Sequence, residues 1–406
     1  MDSVYQIVIF HNIITYKVGL WFYFMNNKKL QVGILGATGV AGLEFIKSLQ
    51  NHPWFEIKEL YASAERSAGK PFYEACHLDT SYVTDRVNNL IVGDNNHVGH
   101  NLDLICSALP SEIAKELEGK CAKHTPVIST TSAYRYEDDV PILITEINSD
   151  HVNILNEQKA RGWNGWIAPG PNCTTVGLAM SLAPLYHSLG IKRVIMSSYQ
   201  AVSGGGYPLI QKWKGQKSSE LPEPKSLDLV IENPEMQIEG NVIGYIPKEE
   251  VKVNHEIKKI LGKFLPLHRN QKSIYPAEFD IDCFCVRVPT LEGHFETVFV
   301  ETDKDCSPEA LNDIYMKFNC EARAIYGALP SSPKNFITVI DRAPQPYFDA
   351  NLDNGMTAVV GRIDKNDAFG KGIKFQVVSN NLERGAAKGI VHVAEYLHSI
   401  GFLDGK

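Results

Sequence analysis

The sequence predicts an α/β protein with two domains, an N-terminal doubly wound parallel sheet and a second α+β domain whose sheet is mixed or antiparallel. Three observations predict this fold. The 406 residues are more than one core usually holds. In the first half, short apolar runs alternate with helical periodicity, which is typical of strand–helix–strand units. After residue 173 the strands alternate polar and apolar residues, as in a sheet with one covered face.

Composition and charge exclude several classes of function. With 44% hydrophobic and 21% charged residues, the chain has the composition of an ordinary globular protein. The net charge is −7 and no long basic run is present, so nucleic acid is not an expected partner. The eight cysteines lack the CxxC spacing of metal ligands. We therefore expect free thiols, a reducing cytoplasmic location and no metal site.

The first 28 residues do not fit the domain pattern. Their apolar stretches are interrupted by His11, Asn12 and Lys17, and the unbroken run is too short to cross a bilayer, so no membrane segment is expected. No basic segment precedes the run and no clear cleavage site follows it, so a signal peptide is not expected either. The expected organisation is a leader over 1–28, a nucleotide-binding domain over 29–172 plus 380–406, and a catalytic domain over 173–379.

A glycine-rich turn follows the first predicted strand, Leu30 to Leu35. It reads Gly36-Ala37-Thr38-Gly39-Val40 and leads into Phe45, Ile46 and Leu49 at helical spacing. Glycines let the backbone turn sharply and approach a pyrophosphate, which then lies at the helix N-terminus. A strand, a glycine turn and a helix in this order predict a Rossmann-like nucleotide-binding domain.

The loop after the second predicted strand, Ile57 to Tyr61, indicates which nucleotide binds. An NAD site usually has an acid at the end of this strand, whereas this loop offers Arg66, Ser67 and Lys70 as donors for a 2′-phosphate. NADP is therefore favoured. Glu65 lies in the same loop, and a solvated polar loop is the alternative interpretation.

Two further strands are predicted in the first domain, Leu102 to Cys106 and Pro126 to Ser129, with a helix from Glu112 to His124 between them. Arg135 follows the second of these strands, at the sheet edge where such folds bind ligands. Its guanidinium could hold a phosphate through paired hydrogen bonds, and an exposed loop arginine is the alternative.

Cys173 is the candidate nucleophile. A Pro/Gly-rich segment precedes it and apolar residues at helical spacing follow it, so we predict that it lies at a helix N-terminus. Unpaired N–H groups and the helix dipole favour a thiolate there, and a thiolate attacks carbonyl carbon. The alternative is a buried small residue at a domain junction.

The second domain is predicted to contain strands over 194–200, 281–288 and 296–302. The first of them ends in a glycine loop, 201–208, for which no following amphipathic helix is predicted. That loop could close over a flat ring. A long surface excursion is expected over 209–240, which carries many charges and several prolines.

Charged side chains mark further candidate positions in this domain. Glu249 and Lys252 are three apart on a predicted helix and share one face, where a solvated ion pair is the alternative to a binding role. Arg287, at a strand end, could grip a carboxylate. His294 could serve as a base near neutral pH. For Arg287 and His294, each considered alone, a structural role is the alternative interpretation.

Taken together, these segments resemble the aspartate-semialdehyde dehydrogenase family of archaeal and fungal type, from about residue 30 to residue 400. Several motifs in the family's order are more specific than any single one. They are Gly33-Ile34-Leu35-Gly36-Ala37-Thr38-Gly39, Pro171-Asn172-Cys173, Gln200 with Ser203-Gly204-Gly205-Gly206, Glu249-x-x-Lys252, Arg287 seven residues before His294, Asn354-Gly355-Met356 and Arg384-Gly385-Ala386-Ala387.

The resemblance implies an NADP-dependent, reversible reductive dephosphorylation of 4-phospho-L-aspartate to L-aspartate 4-semialdehyde through a cysteine thioester, in the biosynthesis of lysine, threonine, methionine and isoleucine. It also implies a homodimer or homotetramer built through the second domain. The implied roles are Cys173 as nucleophile, His294 as acid and base, Gln200 for orienting the acyl group, Arg287 for the substrate carboxylate, Glu249 for its amino group, Lys252 and Arg135 for phosphate, and Ser203, Gly204 and Asn381 for the cofactor.

Three departures from the family and three alternatives accompany this interpretation. Gly170 and Thr130 stand where family members usually have Asn, and the loop after Gln200 has a third glycine where Ala is common. A CoA-dependent acyl reductase such as malonyl-CoA reductase shares the fold and the thiol chemistry. N-acetyl-glutamyl-phosphate reductase is similar in outline but lacks the Arg287 and His294 arrangement. A non-catalytic NADP-binding regulator is expected to lack the thiol or the histidine, and both are present here.

Overall fold

The computed structural model describes residues 28–217, 237–265 and 274–403. The expected leader therefore lies outside the described residues except for Lys28. Most of the predicted excursion over 209–240 also lies outside them.

The first sheet confirms the predicted doubly wound arrangement. Its strands are β1 (Leu30–Leu35), β2 (Phe55–Ala62), β3 (Val92–Asp94), β4 (Leu104–Ser107), β5 (Val127–Ser129) and β6 (Ile167–Pro169). They are all parallel, in the order β3-β2-β1-β4-β5-β6. The order reverses between β1 and β4, and ligands of such sheets bind at the carboxyl ends of the strands on either side of that point.

The second sheet is mixed. Its strands are β7 (Ile191–Gln200), β10 (Asp280–Arg287), β11 (His294–Thr302), β12 (Ile337–Ile340), β13 (Ala358–Lys365) and β14 (Ile373–Ser379), and a separate short pair is β8 (Lys263–Phe264) with β9 (Ile274–Tyr275). The order is β10-β7-β11-β14-β13-β12, with the two outer pairs parallel and the inner neighbours antiparallel.

The helices cover the sheets and complete their hydrophobic cores. They are α1 (Val40–Leu49), α2 (Phe72–Ala75), α3 (Asp85–Asn88), α4 (Ser111–Ala122), α5 (Thr145–Asn148), α6 (Cys173–Leu189), α7 (Gly206–Lys217), α8 (Glu249–Ile260), α9 (Pro308–Tyr326), α10 (Pro346–Asp349) and α11 (Ala387–Ser399), with 3₁₀ segments at Ser149–Arg161, Val202–Gly205 and Leu352–Gly355. Helix α6 is apolar on every side and buried from Thr174 to Leu185, because it packs between the second sheet and helices α8 and α9. Helix α11 packs against α1 and β5, so the end of the chain contributes to the first core.

One prediction about the glycine loop was wrong. Helix α7 begins within the predicted loop, at Gly206, and a 3₁₀ turn over Val202–Gly205 precedes it. Its buried residues are Leu209 and Trp213, which are one turn apart among lysines and glutamines. Such a narrow apolar stripe gives a weak helical signal, and this explains the error.

Within the described ranges, no helix combines the length and apolar character that crossing a bilayer requires.

Candidate active site

The second sheet brings three of the predicted site residues into one row across its inner face. Arg287 on β10 is opposite Gln200 on β7, and His294 on β11 is opposite Ser379 on β14. Tyr199 pairs with Phe295, so Gln200 and His294 lie beside each other at the end of the β7–β11 ladder. All four side chains in the row are buried. The period-two alternation of each strand therefore places Arg287, Gln200 and His294 together under α6.

Cys173 begins α6, as the sequence predicts. The side chain of Asn172 caps the helix, because its Oδ1 accepts the backbone N–H groups of Thr174 (2.8 Å) and Thr175 (3.3 Å). The Cys173 Sγ lies 3.2 Å from His294 Nε2. A thiol and an imidazole within hydrogen-bond reach at a helix N-terminus form the geometry that nucleophilic catalysis requires.

The hydrogen bonds of His294 indicate where its proton is. The backbone N–H of Ala201 donates to Nδ1 at 3.2 Å, so Nδ1 is the unprotonated nitrogen and the neutral ring has its proton on Nε2, facing the sulfur. Burial, together with the positive charge of Arg287, lowers the pKa of His294 to about 3. The ring is therefore neutral near pH 7 and aims a donor at an anion on the sulfur or on an attached acyl group.

Burial opposes the stabilisation of a thiolate that is expected at the helix N-terminus. Burial raises the pKa of Cys173 to about 12, and the carboxylate of Glu249 acts in the same direction. Arg287, Arg135 and Lys252 act in the opposite direction without overcoming the burial. The sequence does not reveal this effect because it arises from packing between distant segments.

Two glutamates on α8 hold the segment that carries Cys173. Glu249 accepts a hydrogen bond from Asn172 Nδ2 at 2.7 Å, and its other oxygen pairs with Lys252 Nζ at 3.2 Å. Glu256 accepts from the Asn172 backbone N–H at 2.6 Å and pairs with Arg135 at 3.0 Å. The carboxylates thus connect the nucleophile segment to both predicted phosphate-binding cations.

Arg135 is more enclosed than a loop arginine. Its side chain is 5% exposed, and besides Glu256 it donates to the carbonyl oxygens of Thr130 (2.8 Å) and Pro171 (3.1 Å). The alternative of an exposed arginine is therefore wrong. Lys252 is more open, with 31% of its side chain exposed.

The glycine loop and the end of β14 close the other side of the site. A Cβ on Gly204 would lie 3.2 Å from both Arg287 Nη1 and His294 Cε1, so the absence of a side chain lets the loop contact both. Asn381 donates to Ser203 Oγ at 2.9 Å and accepts from the Gly293 N–H at 2.8 Å. These bonds join the three loops that follow β7, precede β11 and follow β14.

The predicted nucleotide turn has the geometry of a phosphate cradle. Gly36 has a φ of +70°, and a Cβ there would lie 2.5 Å from the carbonyl oxygen of Ala108. Helix α1 starts at Val40, and its N-cap, Gly39, provides no side-chain cap, which leaves the first N–H groups for a ligand. Ala37 and Thr38 complete the turn between β1 and α1.

Arg66 and Ser67 lie in the loop just beyond β2, at the same edge of the first sheet as this turn. Arg66 is exposed, whereas Ser67 is buried. Their position suits contact with the ribose end of a nucleotide whose pyrophosphate lies on α1.

Three contributors to the site were missed by sequence reasoning. Glu256 is seven residues after Glu249 on the same helix face, and this spacing could have revealed it. The Asn172 side chain and the Ala201 N–H were not identifiable in this way, because their partners come from distant segments. In the described parts of the chain, no group of three or more histidine, cysteine or acidic side chains is arranged to hold a metal ion, and all eight cysteines are free.

Comparisons with known proteins agree along nearly the whole chain. The family model described as "Semialdehyde dehydrogenase, NAD binding domain" matches residues 31–155, and the model described as "Semialdehyde dehydrogenase, dimerisation domain" matches residues 182–384. The aspartate-semialdehyde dehydrogenase of Archaeoglobus fulgidus is 38% identical, with 91% of this chain and 98% of the relative covered. The malonyl CoA reductase (NADP) of Metallosphaera sedula is 31% identical, with 93% and 99% covered.

A solved structure is similar as well. The aspartate semialdehyde dehydrogenase with NADP from Candida albicans superposes with a TM-score of 0.75 at 29% identity, covering 92% of this chain and 99% of that one. The matched domains and the length of these alignments lead to one conclusion. The chain belongs to the semialdehyde dehydrogenase family.

Proposed function

We propose that this enzyme catalyses the NADP-dependent, reversible reductive dephosphorylation of 4-phospho-L-aspartate to L-aspartate 4-semialdehyde through a thioester on Cys173, in the biosynthesis of lysine, threonine, methionine and isoleucine. The observation that carries the proposal is the 3.2 Å approach of the Cys173 sulfur to His294 Nε2, beside a buried arginine and glutamine. Two archaeal relatives are named aspartate-semialdehyde dehydrogenase.

The chemistry begins at the sulfur of Cys173. After the thiol has lost its proton to solvent, the thiolate attacks the acyl carbon of the substrate, a C–S bond forms, and the C–O bond to phosphate breaks with release of inorganic phosphate. NADPH, when bound, would supply the hydride that reduces the resulting thioester. His294 Nε2–H donates to the oxyanion that develops on the acyl oxygen and stabilises it. Breaking the C–S bond then releases the aldehyde and regenerates the thiolate.

Charge complementarity supports an acidic amino-acid phosphate as the substrate. Arg287, held by a 2.9 Å bond to the Ala201 carbonyl oxygen, offers a guanidinium for the α-carboxylate. Glu249 is the acceptor for the α-amino group. Lys252, at the open side of the site, and the enclosed Arg135 supply positive charge for the phosphate. Gln200 lies between Arg287 and His294, where its amide can orient the acyl group.

We propose NADP rather than NAD as the cofactor. The turn over Gly36, Ala37, Thr38, Gly39 and Val40 would hold the pyrophosphate, and Arg66 with Ser67 would hold the 2′-phosphate. Ser203, Gly204 and Asn381, which close the catalytic row, would contact the nicotinamide.

A homodimer fits the outer face of the second sheet. Ile195, Tyr199 and Phe284 all point to that face and remain 41%, 37% and 69% exposed in one chain. Contiguous exposed apolar side chains on a sheet are typical of a protein–protein interface. The matched domain description names dimerisation. Phe284→Glu should shift the sedimentation coefficient toward that of the monomer, and an unchanged value would contradict the proposed face.

A CoA-dependent acyl reductase is the second candidate, because a malonyl CoA reductase is 31% identical over nearly the whole chain. Glu249 favours the aspartyl substrate, since a malonyl group has no amino group for this carboxylate to bind. The deciding experiment follows NADPH formation at 340 nm from L-aspartate 4-semialdehyde and NADP, with phosphate, with CoA, or with neither. The proposal expects turnover with phosphate alone, and turnover with CoA alone would favour the second candidate.

A further inference from the structure

A small cavity lies behind the segment that carries Cys173, where the two domains meet. Its volume is about 10 Å³, close to what a single water molecule requires. Thr145 from α5, Pro171 from the nucleophile segment, and Arg384, Gly385 and His392 from the end of the chain contribute to its wall. These parts of the chain are far apart in sequence, so the cavity lies at a junction of three segments.

Three residues that line the cavity each carry a polar side-chain atom with no hydrogen-bond partner among the described residues. The atoms are Thr145 Oγ1, Arg384 Nη1 and His392 Nε2. Their residues are 3%, 3% and 1% exposed, so bulk solvent does not satisfy these atoms. A buried polar atom without a partner is destabilising, and buried polar groups in native proteins are almost always paired. One water can accept from a guanidinium and still exchange hydrogen bonds with a hydroxyl and an imidazole nitrogen.

We propose that this cavity binds one water molecule, held by Thr145, Arg384 and His392, and that this water positions Cys173 against His294. The proposal rests on the proposed function only in taking Cys173 as the nucleophile.

Some of the residues that line the cavity also flank or contact Cys173. Pro171 lies two residues before the cysteine, and Val176, in the first turn of α6, lines the cavity too. On the third side, a Cβ placed on Gly385 would lie 3.1 Å from Cys173 Cβ, so the backbone after Arg384 is packed directly against the nucleophile. A water that joins these segments therefore restricts where the sulfur lies.

Arg384 is the positioning residue of this arrangement. Its other terminal nitrogen pairs with Glu146 and lies 3.2 Å from Met180 Sδ, and the ion pair is almost fully buried. These contacts restrain the guanidinium through one nitrogen and leave Nη1 buried without a partner. His392 is likewise restrained, because its Nδ1 lies 3.4 Å from a carboxylate oxygen of Glu395.

Thr145→Val tests the proposal, because it exchanges a hydroxyl for a methyl group of similar size, and Thr145→Ser is the matched control that retains the hydroxyl. We expect Thr145→Val to lower kcat about tenfold through misplacement of the sulfur, while the KM values for substrate and cofactor change less than about twofold. Thr145→Ser should keep the wild-type kcat. A merely structural hydroxyl would alter thermal stability without this split between kcat and KM. High-resolution crystal structures should show one water between the three side chains in the wild type and in Thr145→Ser, and none in Thr145→Val.

Two results would overturn the proposal. One is a wild-type crystal structure in which no water lies between the three side chains. The other is a folded Thr145→Val enzyme with wild-type kcat. Failure of the proposed function would give a different result, because the wild type would then lack dehydrogenase activity. In that case, the presence of the water and the reactivity of Cys173 toward iodoacetamide could still be compared between the variants.

Discussion

The reactivity of Cys173 toward an alkylating agent should depend steeply on pH. Its pKa is raised to about 12 by burial and by the neighbouring Glu249 carboxylate. A thiol with that pKa is ionised in only about one molecule in 10⁵ at pH 7, and the ionised fraction grows about tenfold with each unit of pH. The rate of inactivation by iodoacetamide should therefore rise about tenfold per unit from pH 7 to pH 9, without a plateau.

The assay measures residual activity and the mass of the Cys173 peptide over time. It is best done in a Cys320→Ser background, because Cys320 is the exposed cysteine of the chain and would otherwise react as well. Cys173→Ser in that background gives the rate without the nucleophile. Glu249→Gln should increase the rate at fixed pH, since it removes a negative charge that raises the pKa. A plateau below pH 8 would refute this reasoning, because it would mean that the free enzyme already holds a thiolate.

Three further substitutions test the rest of the site. Asn172→Ala should lower the free energy of unfolding by about 2–4 kcal/mol, because it removes the helix cap and the donor to buried Glu249. Chemical denaturation should show a smaller loss of this free energy for Asn172→Ser, which retains a capping oxygen. Arg287→Lys should raise the KM for aspartate semialdehyde at least about tenfold and change kcat much less, because an ammonium does not reproduce the guanidinium fork; an unchanged KM would argue against a carboxylate at this position. Arg66→Ala should raise the KM for NADP about tenfold and leave that for NAD unchanged; equal effects on both would contradict the 2′-phosphate contact.

Much of the first domain could be predicted from the sequence because its signals are local. A strand, a glycine turn and an amphipathic helix are contiguous between Leu30 and Leu49, and the structure has them as expected. The start of α6 at Cys173 was predictable for the same reason, since apolar residues follow a Pro/Gly segment. Local patterns therefore indicated both the nucleotide turn and the nucleophile.

The electrostatics of the site could not be predicted in this way. The high pKa of Cys173 results from burial among segments that are far apart in sequence, and the tautomer of His294 depends on the N–H of Ala201 across the sheet. The row formed by Arg287, Gln200 and His294 depends on strand register, which short sequence patterns do not specify when the sheet is mixed.

The covalent intermediate on Cys173 tests the central claim most directly. The enzyme is mixed with L-aspartate 4-semialdehyde and NADP in the absence of phosphate, quenched in acid and examined by intact and peptide mass spectrometry. The account predicts one equivalent of NADPH and an added aspartyl group on the Cys173 peptide, which is discharged when phosphate is supplied. NADPH formation by Cys173→Ser, or a burst with no acyl group on this cysteine, would contradict it.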